Sequence, residues 1–349
     1  MNELPGELAD ALRERQKKKE QKARGAVRRH LSKSVTDLEF VARLYKCGGS
    51  ALKVATELGI PQQNVSERRM QIERDLGVEL PRGRVETWKA QAHRTVLNLS
   101  MEDGTILIGS DLHAWPDIHS AAMAAFVDFN RRLKPQVVIL NGDGLDGAQI
   151  SRHPRLGWDK RPSPAEEIQA LSEYSTTLLR ANPNARYIRT RGNHDSRLET
   201  YLSTNAPLVE GLKGTSLADH LPGWEEVMAI WVNGRECFIK HRGKHSGIHA
   251  TFNEVRRIGT NFVHGHLHAQ HVIPYRNAHG DLYGVDLGML APVSGPQFDY
   301  TELDVTNWRS GFAVLSFRGG KLLPPQLVTV IDEEGGQVSF AGQVLTYSL

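Results

Sequence analysis

The sequence predicts an α/β protein preceded by a small all-α domain, and three observations lead there. From about Thr95 onward, short apolar runs alternate with segments of helical periodicity, whereas residues 35–77 carry helical signals alone. Charge divides the chain in the same way. Residues 1–90 hold 19 Lys/Arg against 13 Asp/Glu, and the remainder holds 24 against 27. Finally, His, Asp and Asn cluster directly after five of the apolar runs, as they do where an open α/β sheet gathers a ligand at its strand ends.

At 349 residues, 40% of them hydrophobic, the chain can bury one large core or two smaller ones. Cys47 and Cys237 form no CxxC and no disulfide framework, which fits a reducing compartment. The opening MNELPGELAD has no basic start followed by an apolar stretch, so no signal peptide is expected. No apolar run approaches the ~18 residues that a membrane span needs. The expected location is the cytoplasm.

The first element is a basic arm over residues 1–34, expected to be flexible. Its residues 11–34 carry ten Lys/Arg and two Glu. It is either a solvated tail or a nucleic-acid contact. The helical domain follows at 35–77. Thr36 and Asp37 cap a helix running to about Cys47, which Gly48, Gly49 and Ser50 end. A second helix covers Ala51–Leu58 and stops at Gly59. Pro61 opens a third, which runs to Leu76.

The set Ala55, Gly59 and Val65, with Leu58 and Ile60 flanking the turn, resembles the helix-turn-helix of DNA-binding proteins. Arg68 departs from that pattern, since an apolar residue is usual there. The resemblance implies that Gln62, Gln63, Asn64, Ser66, Glu67 and Arg69 lie on a recognition helix, from which those on the outer face reach base edges. The alternative is a helical protein-interaction module. The adjacent basic arm favours nucleic acid, DNA above all, as the partner.

Residues 78–94 read as a linker, and 95–349 as the second domain. TVLNLS, MEDG and TILIGS read as a β-hairpin. Helices are predicted at 118–133, 165–181 and 247–257, and strands at 137–141, 186–190, 235–240 and 261–264. After residue 270 the chain reads as short β-runs.

TILIGS leads into Asp111-Leu112-His113, and VVILN into Gly142-Asp143-Gly144-Leu145-Asp146. ARYIRTR leads into Gly192-Asn193-His194-Asp195, CFIK into His241, and NFV into His264-Gly265-His266-Leu267-His268. This ordered set (DxH, GDxxD, GNHD, H, GHxH) resembles the calcineurin-like metallophosphoesterases over roughly residues 95–330. The resemblance implies a β-sandwich flanked by helices in four layers, α/β/β/α. It also implies two divalent ions that clamp a phosphate and activate water. Asp143 matches the bridging carboxylate. Asp111, His113 and His268 match the ligands of one ion, and Asn193, His241 and His266 those of the other. This mixed donor set suits transition metals, with Mn²⁺ the first expectation and Fe²⁺, Zn²⁺ and Ni²⁺ the others.

By the same resemblance His194 is catalytic, protonating the leaving oxygen or stabilising its charge, and Asp195 orients it. Asp146 either holds a ligand loop or is a simple turn residue. His245 competes with His241, because KHRGKH stands where the family usually has His-Gly. His249, His264 and His271 are expected to be structural. Arg197 and His153, with Arg152 beside it, are candidates for substrate binding or for surface salt bridges.

GDGLDGAQ and GNHD differ from the protein phosphatases of the family, which extend GDxxD with Arg-Gly and carry GNHE. SDLH and GNHD resemble its nuclease and diesterase branches. NWRSGFAVLSF, with the helix-turn-helix, resembles phosphoesterases encoded by tailed phages and prophages. The expected function is therefore a two-metal phosphodiesterase, a nuclease brought to DNA by its N-terminal domain. The alternatives are a diesterase for cyclic or other nucleotides, and a DNA-binding regulator or adaptor whose phosphoesterase body is inactive.

Overall fold

A computed structural model describes residues 6–23, 35–81, 96–153, 160–278, 280–302 and 304–349. The chain divides into two compact units, residues 1–91 and 92–349.

In the first unit α1 spans Gly6–Ala23, α2 Asp37–Lys46, α3 Ala51–Leu58 and α4 Gln62–Leu76. The expected caps form. Thr36 and Glu39 build a capping box at α2, and Gly59 takes a left-handed φ of 65° that ends α3. Phe40, Val41, Leu44, Val54, Val65 and Ile72 are fully buried together. Each contributes roughly 1.5–3 kcal/mol by leaving water.

One expectation is corrected here and one departure is explained. The arm is helical over Gly6–Ala23, and Leu12 and Arg15 are buried in the unit, so this part is not a free tail. Leu12 joins the apolar core and Arg15 pairs with buried Asp37 and with Asp75. Residues 1–5 and 24–34 and most of the expected linker lie outside the described residues. Arg68 fits without an apolar side chain because its Nη2 donates to Asp37 Oδ1 at 2.8 Å and to the Val35 carbonyl at 2.6 Å. Its guanidinium also lies 4.7 Å over the Phe40 ring.

The second unit is built on two sheets. Its strands are β1 (Val96–Leu99), β2 (Gly104–Gly109), β3 (Val137–Asn141), β4 (Arg186–Thr190), β5 (Glu225–Val227), β6 (Ala229–Val232), β7 (Cys237–Ile239), β8 (Asn261–His264), β9 (His271–Asn277), β10 (Gly280–Asp286), β11 (Gly311–Arg318), β12 (Lys321–Leu322), β13 (Gln326–Asp332), β14 (Gln337–Phe340) and β15 (Gln343–Thr346). One sheet runs β1-β6-β7-β8-β10-β9. The other runs β15-β14-β13-β11-β2-β3-β4-β5, with β12 beside β11.

Period-2 alternation explains the layers. Ile106, Ile108, Val137 and Ile139 point into the core between the sheets, where Ile239, Val263 and Val285 meet them. Leu107, Val138 and Leu140 point the other way, under α5 (Ala121–Leu133) and α6 (Pro164–Ala181). α8 (Ala250–Ile258) covers β8, β9 and β10 on the far side. The order is thus α/β/β/α, as expected. α7 (Arg197–Asn205) follows the loop after β4.

The predicted hairpin is corrected. β1 pairs in parallel with β6 in one sheet, while β2 pairs with β3 and β11 in the other. Leu97 and Leu99 of β1 enter the same inter-sheet core as Ile106 and Ile108 of β2. The two strands therefore face each other across that core instead of lying edge to edge.

Candidate metal centre

β2, β3 and β4 are mutually parallel, and so are β7 and β8, so each set delivers its following loops to one end. Backbone hydrogen bonds tie these loops together. Asp111 N donates to the Gly142 carbonyl at 3.0 Å, His113 N to that of Asp143 at 3.0 Å, and Gly265 N to that of His241 at 3.0 Å. Close approach explains two glycines. A Cβ on Gly142, whose φ is +82°, would lie 2.5 Å from the His241 ring, and one on Gly265 would lie 2.3 Å from Asp111 Oδ2.

Three clusters of potential metal ligands result among the described residues: Asp111 with His113 and His268, Asp143 with His241 and His266, and His113 with Asp146 and His194. Asp111, His113, Asp143, His266 and His268 all have left-handed backbone, with φ of 53°, 42°, 51°, 71° and 60°. Side chains rarely adopt this region, and such strain persists at sites that the surrounding structure over-determines.

Neighbouring groups set how each side chain presents itself. His113 Nδ1 lies 2.8 Å from Asp146 Oδ1. His241 Nδ1 lies 2.7 Å from the Asn141 carbonyl, to which it donates. Both rings are thereby oriented with Nε2 inward, the arrangement in which a carboxylate or carbonyl behind the ring steers a ligand histidine. Buried His113 Nε2, His268 Nδ1 and Asn193 Oδ1 have no hydrogen-bond partner, and His241 Nε2 faces only Asp143 Oδ2, at 3.0 Å. Leaving a buried polar atom unsatisfied costs about 1–3 kcal/mol. Of these, His113 Nε2, 3.9 Å from Asp111 Oδ1, and His241 Nε2 stand beside the two carboxylates and fit a site completed by cations.

The electrostatics agree. Burial alone would lower the pKa of His113, but the neighbouring carboxylates of Asp111 and Asp146 outweigh it and push it up to about 10. Burial opposes His241 in the same way, and Asp143 and Asp111 push it up to about 9. Burial would raise Asp143, but His241 holds it well below the usual carboxylate range. The pocket is negative enough to demand positive charge. His266 goes the other way, and burial pushes it down to about 4, leaving a neutral imidazole at neutral pH.

The expected catalytic pair needs one correction. His194 is at the site, its Nε2 4.0 Å from Asp143 Oδ2. Its orienting partner, however, is Asp146, whose carbonyl lies 3.0 Å and carboxylate 3.1 Å from His194 Nδ1. Asp195 points away, into backbone amides. Its Oδ2 accepts from Asp143 N at 3.0 Å and Gly192 N at 2.8 Å, and its Oδ1 from Gly144 N at 2.9 Å and Leu145 N at 3.1 Å. Asp195 therefore locks two ligand loops to each other. Glu167 does the same for the next stretch, accepting from Ala148 N at 2.9 Å and from Gly147 N.

His241 rather than His245 enters the site. His241 is buried beside Asp143, whereas His245 Nδ1 is bound to Glu254 Oε1 at 2.8 Å. His264 and His271 both contact Thr251 Oγ1, in keeping with structural roles. Arg197 Nη1 donates to the Asp146 carbonyl at 2.8 Å, and its Nη2 lies 3.2 Å from His194 Nε2. His153 lines a cavity of about 310 Å³ that His194 and Arg197 also border.

In the helical unit Gln62, Gln63 and Asn64 are exposed at the start of α4, with Gln63 Nε2 2.9 Å from Glu67 Oε1. Ser66 and Arg69 are only partly exposed, and Arg69 Nε is shielded from solvent.

Sequence reasoning missed an aromatic cap. Phe298 packs against His113 and His268 at 5.2 and 5.6 Å, and Trp308 against His268 at 4.7 Å. Trp115, directly after the first motif, and Tyr300 line the 310 Å³ cavity. Only their proximity in sequence to DLH and to the NW of NWRSGF hinted at this.

The sequence model described as calcineurin-like phosphoesterase matches residues 104–288. The Gene 54 protein of Mycobacterium phage D29 is 30% identical over 250 residues, which cover 64% of this chain and 91% of that protein. The Gene 54 protein of Mycobacterium phage L5 is 30% identical over 175 residues, covering 44% and 64%. Among solved structures, Vps29 from Entamoeba histolytica is 14% identical and covers 69% of this chain and 98% of its own, with a TM-score of 0.37. Yfce, a phosphoesterase from E. coli, is 14% identical and covers 63% and 97%, with a TM-score of 0.30.

Proposed function

Because this chain belongs to the calcineurin-like phosphoesterase family, we propose that it hydrolyses phosphodiester bonds, with nucleic acid, DNA first, as substrate. The observation that carries the diester reading is a pair of cavities meeting at Arg197. One, of about 310 Å³, is bordered by His194, and the other, of about 550 Å³, by Asn193. A diester carries an organic group on each side of its phosphorus, and a cavity stands ready for each.

Asp111, His113 and His268 would hold one divalent ion, and Asn193, His241 and His266 the other, with Asp143 between them. Mn²⁺ is the first candidate. Ions bound there supply Lewis-acid polarisation of the phosphoryl group and a nucleophile at neutral pH. Asp195 and Asp146 keep the ligands in place. Arg197 is held near the reacting phosphate by the Asp146 carbonyl. A phosphate oxygen is a stronger partner for its guanidinium than an imidazole nitrogen. Substrate would therefore draw Arg197 from His194 Nε2, and that nitrogen would take up a proton from solvent and pass it to the leaving oxygen.

The helical unit would bring the enzyme to DNA. Its support is the exposed Gln62, Gln63 and Asn64 on α4, together with the ten Lys/Arg that the sequence carries over residues 11–34. The complete ligand set favours turnover over an inactive adaptor. The test is hydrolysis of bis(p-nitrophenyl) phosphate, cyclic nucleotides and labelled single- and double-stranded DNA, each with Mn²⁺ and with EDTA. The expected result is Mn²⁺-dependent cleavage of DNA as well as of the small diester. Cleavage of cyclic nucleotides alone would replace the nuclease reading by the small-molecule one. For the anchor, affinity for duplex should fall with salt at a log–log slope near −0.9 per phosphate contact. A chain starting at residue 92 that binds duplex as tightly as the full chain would remove the anchor.

A further inference from the structure

Resting on the diesterase reading, we infer that the 310 Å³ cavity beside His194 is a subsite for a single nucleoside, which leaves as the alcohol.

Its walls fit that occupant. Trp115 and Tyr300 offer aromatic faces, and Pro296 and Ala148 add apolar surface. Every nucleobase has a face that stacks on such rings, whatever its sequence context. Gln297, which also lines the cavity, is only 6% exposed, and its Oε1 has no hydrogen-bond partner. A base or sugar donor would remove the cost of that orphaned acceptor. At 310 Å³ the cavity stands at the small end of the ~300–1,000 Å³ typical of small-ligand pockets. It has room for one nucleoside and none for a stacked duplex.

The two cavities are not equivalent. The larger one is walled by Arg152, Thr200, Thr204 and Asn205 and holds no Trp, with Tyr201 as its one aromatic ring. That surface suits a polar backbone more than a stacked base. His194 borders the aromatic cavity and not the larger one. The alcohol nearest the proton donor is thus the nucleoside. In the reaction the water oxygen bonds to phosphorus and one of its protons passes to solvent. The bond from phosphorus to the nucleoside oxygen breaks, and that oxygen takes the proton from His194. The products are a free nucleoside end and a phosphate monoester on the group in the larger cavity.

The test uses the full chain loaded with Mn²⁺. Trp115→Ala and Tyr300→Ala are assayed on thymidylyl-thymidine, on an oligothymidylate ten residues long, and on bis(2-chloroethyl) phosphate, which carries no nucleoside. A stacked base contributes ~1–3 kcal/mol. The loss in kcat/KM should therefore be ~5–150-fold greater on the dinucleotide and the oligomer than on the chloroethyl diester, whose leaving alcohol has no ring to stack. Trp115→Phe, which keeps a stacking face, should recover most of it and controls for folding. An equal loss on all three substrates, or a loss on the oligomer alone, would overturn the subsite. Calorimetric binding of thymidine, compared with deoxyribose, reads the cavity without turnover. Thymidine should bind to the full chain and bind less well after Trp115→Ala. Indifference to that change would overturn the inference even if every diester is cleaved. If no diester is cleaved but thymidine binds through Trp115, the diesterase reading alone fails.

Discussion

In the helical unit Asp37 is buried and answered by Arg15 and Arg68, which are answered in turn by Asp75 and the Val35 carbonyl. In the catalytic unit His113, His268 and Asn193 are inward-facing too, yet each ends in an atom that nothing answers. Both arrangements cost desolvation. The first recovers it within the chain, so the charges serve the packing of α1, α2 and α4. The second leaves it unrecovered and adds left-handed backbone at five ligand positions. Buried polarity that closes on itself marks structure, and buried polarity that stays open at one point marks a place for something else.

This contrast can be broken by substitution, beginning where the effect should be largest. Asp143→Ala should abolish turnover and lower the content of both metals, because this carboxylate matches the family's bridging position. Elemental analysis showing two equivalents of metal still bound would sink that assignment. His194→Ala should keep the metals and cost ~10²–10⁴-fold in kcat, the usual worth of a positioned acid. The loss should shrink on nitrophenyl esters, whose leaving group needs no protonation, and an equal loss on poor leaving groups would point to another role. His241→Ala should deplete metal far more than His245→Ala in a titration, and the reverse ranking would move the ligand.

On the closed side of the comparison, Asp37→Ala strands Arg15 and Arg68 and should cost ~3–5 kcal/mol in the helical unit. Thermal melting should show it, while hydrolysis of a small diester should not change. The smallest effect expected is at Glu254. Burial would raise its pKa, but bonds from Arg257 and His245 bring it down to about 2. Its folded pKa lies below the ~4.3 of an unfolded Glu, so its stabilisation is complete above that value and lost as pH falls through about 2. Glu254→Gln should flatten that acid limb and cost about 2 kcal/mol at neutral pH.

The clustering of the candidate ligands was legible in the sequence because each follows an apolar strand, and parallel strands must end on the same side. The caps of α2 and α3 were legible because Thr36 and Gly59 act on their own neighbours. What failed depended on distant partners. β1 and β2 read as a hairpin because alternation reveals which face of a strand is buried, not which sheet it joins. Asp195 was assigned to His194 from adjacency, but its carboxylate turns to the amides of residues 143–145, some fifty positions back. The aromatic cap of Phe298 and Trp308 comes from irregular segments with no periodicity to announce it. Leu12 and Arg15 were hidden by the lysines that follow them.

The central claim is that the unanswered atoms around Asp111 and Asp143 are there for metal ions. The most direct measurement is the metal content of the full chain after loading with Mn²⁺ and desalting, taken together with diester hydrolysis before and after stripping with EDTA. The account predicts two ions per chain, activity lost on stripping, and activity regained when Mn²⁺ is returned. A stripped chain that binds no divalent ion, or that hydrolyses the diester as fast as the loaded one, would contradict it.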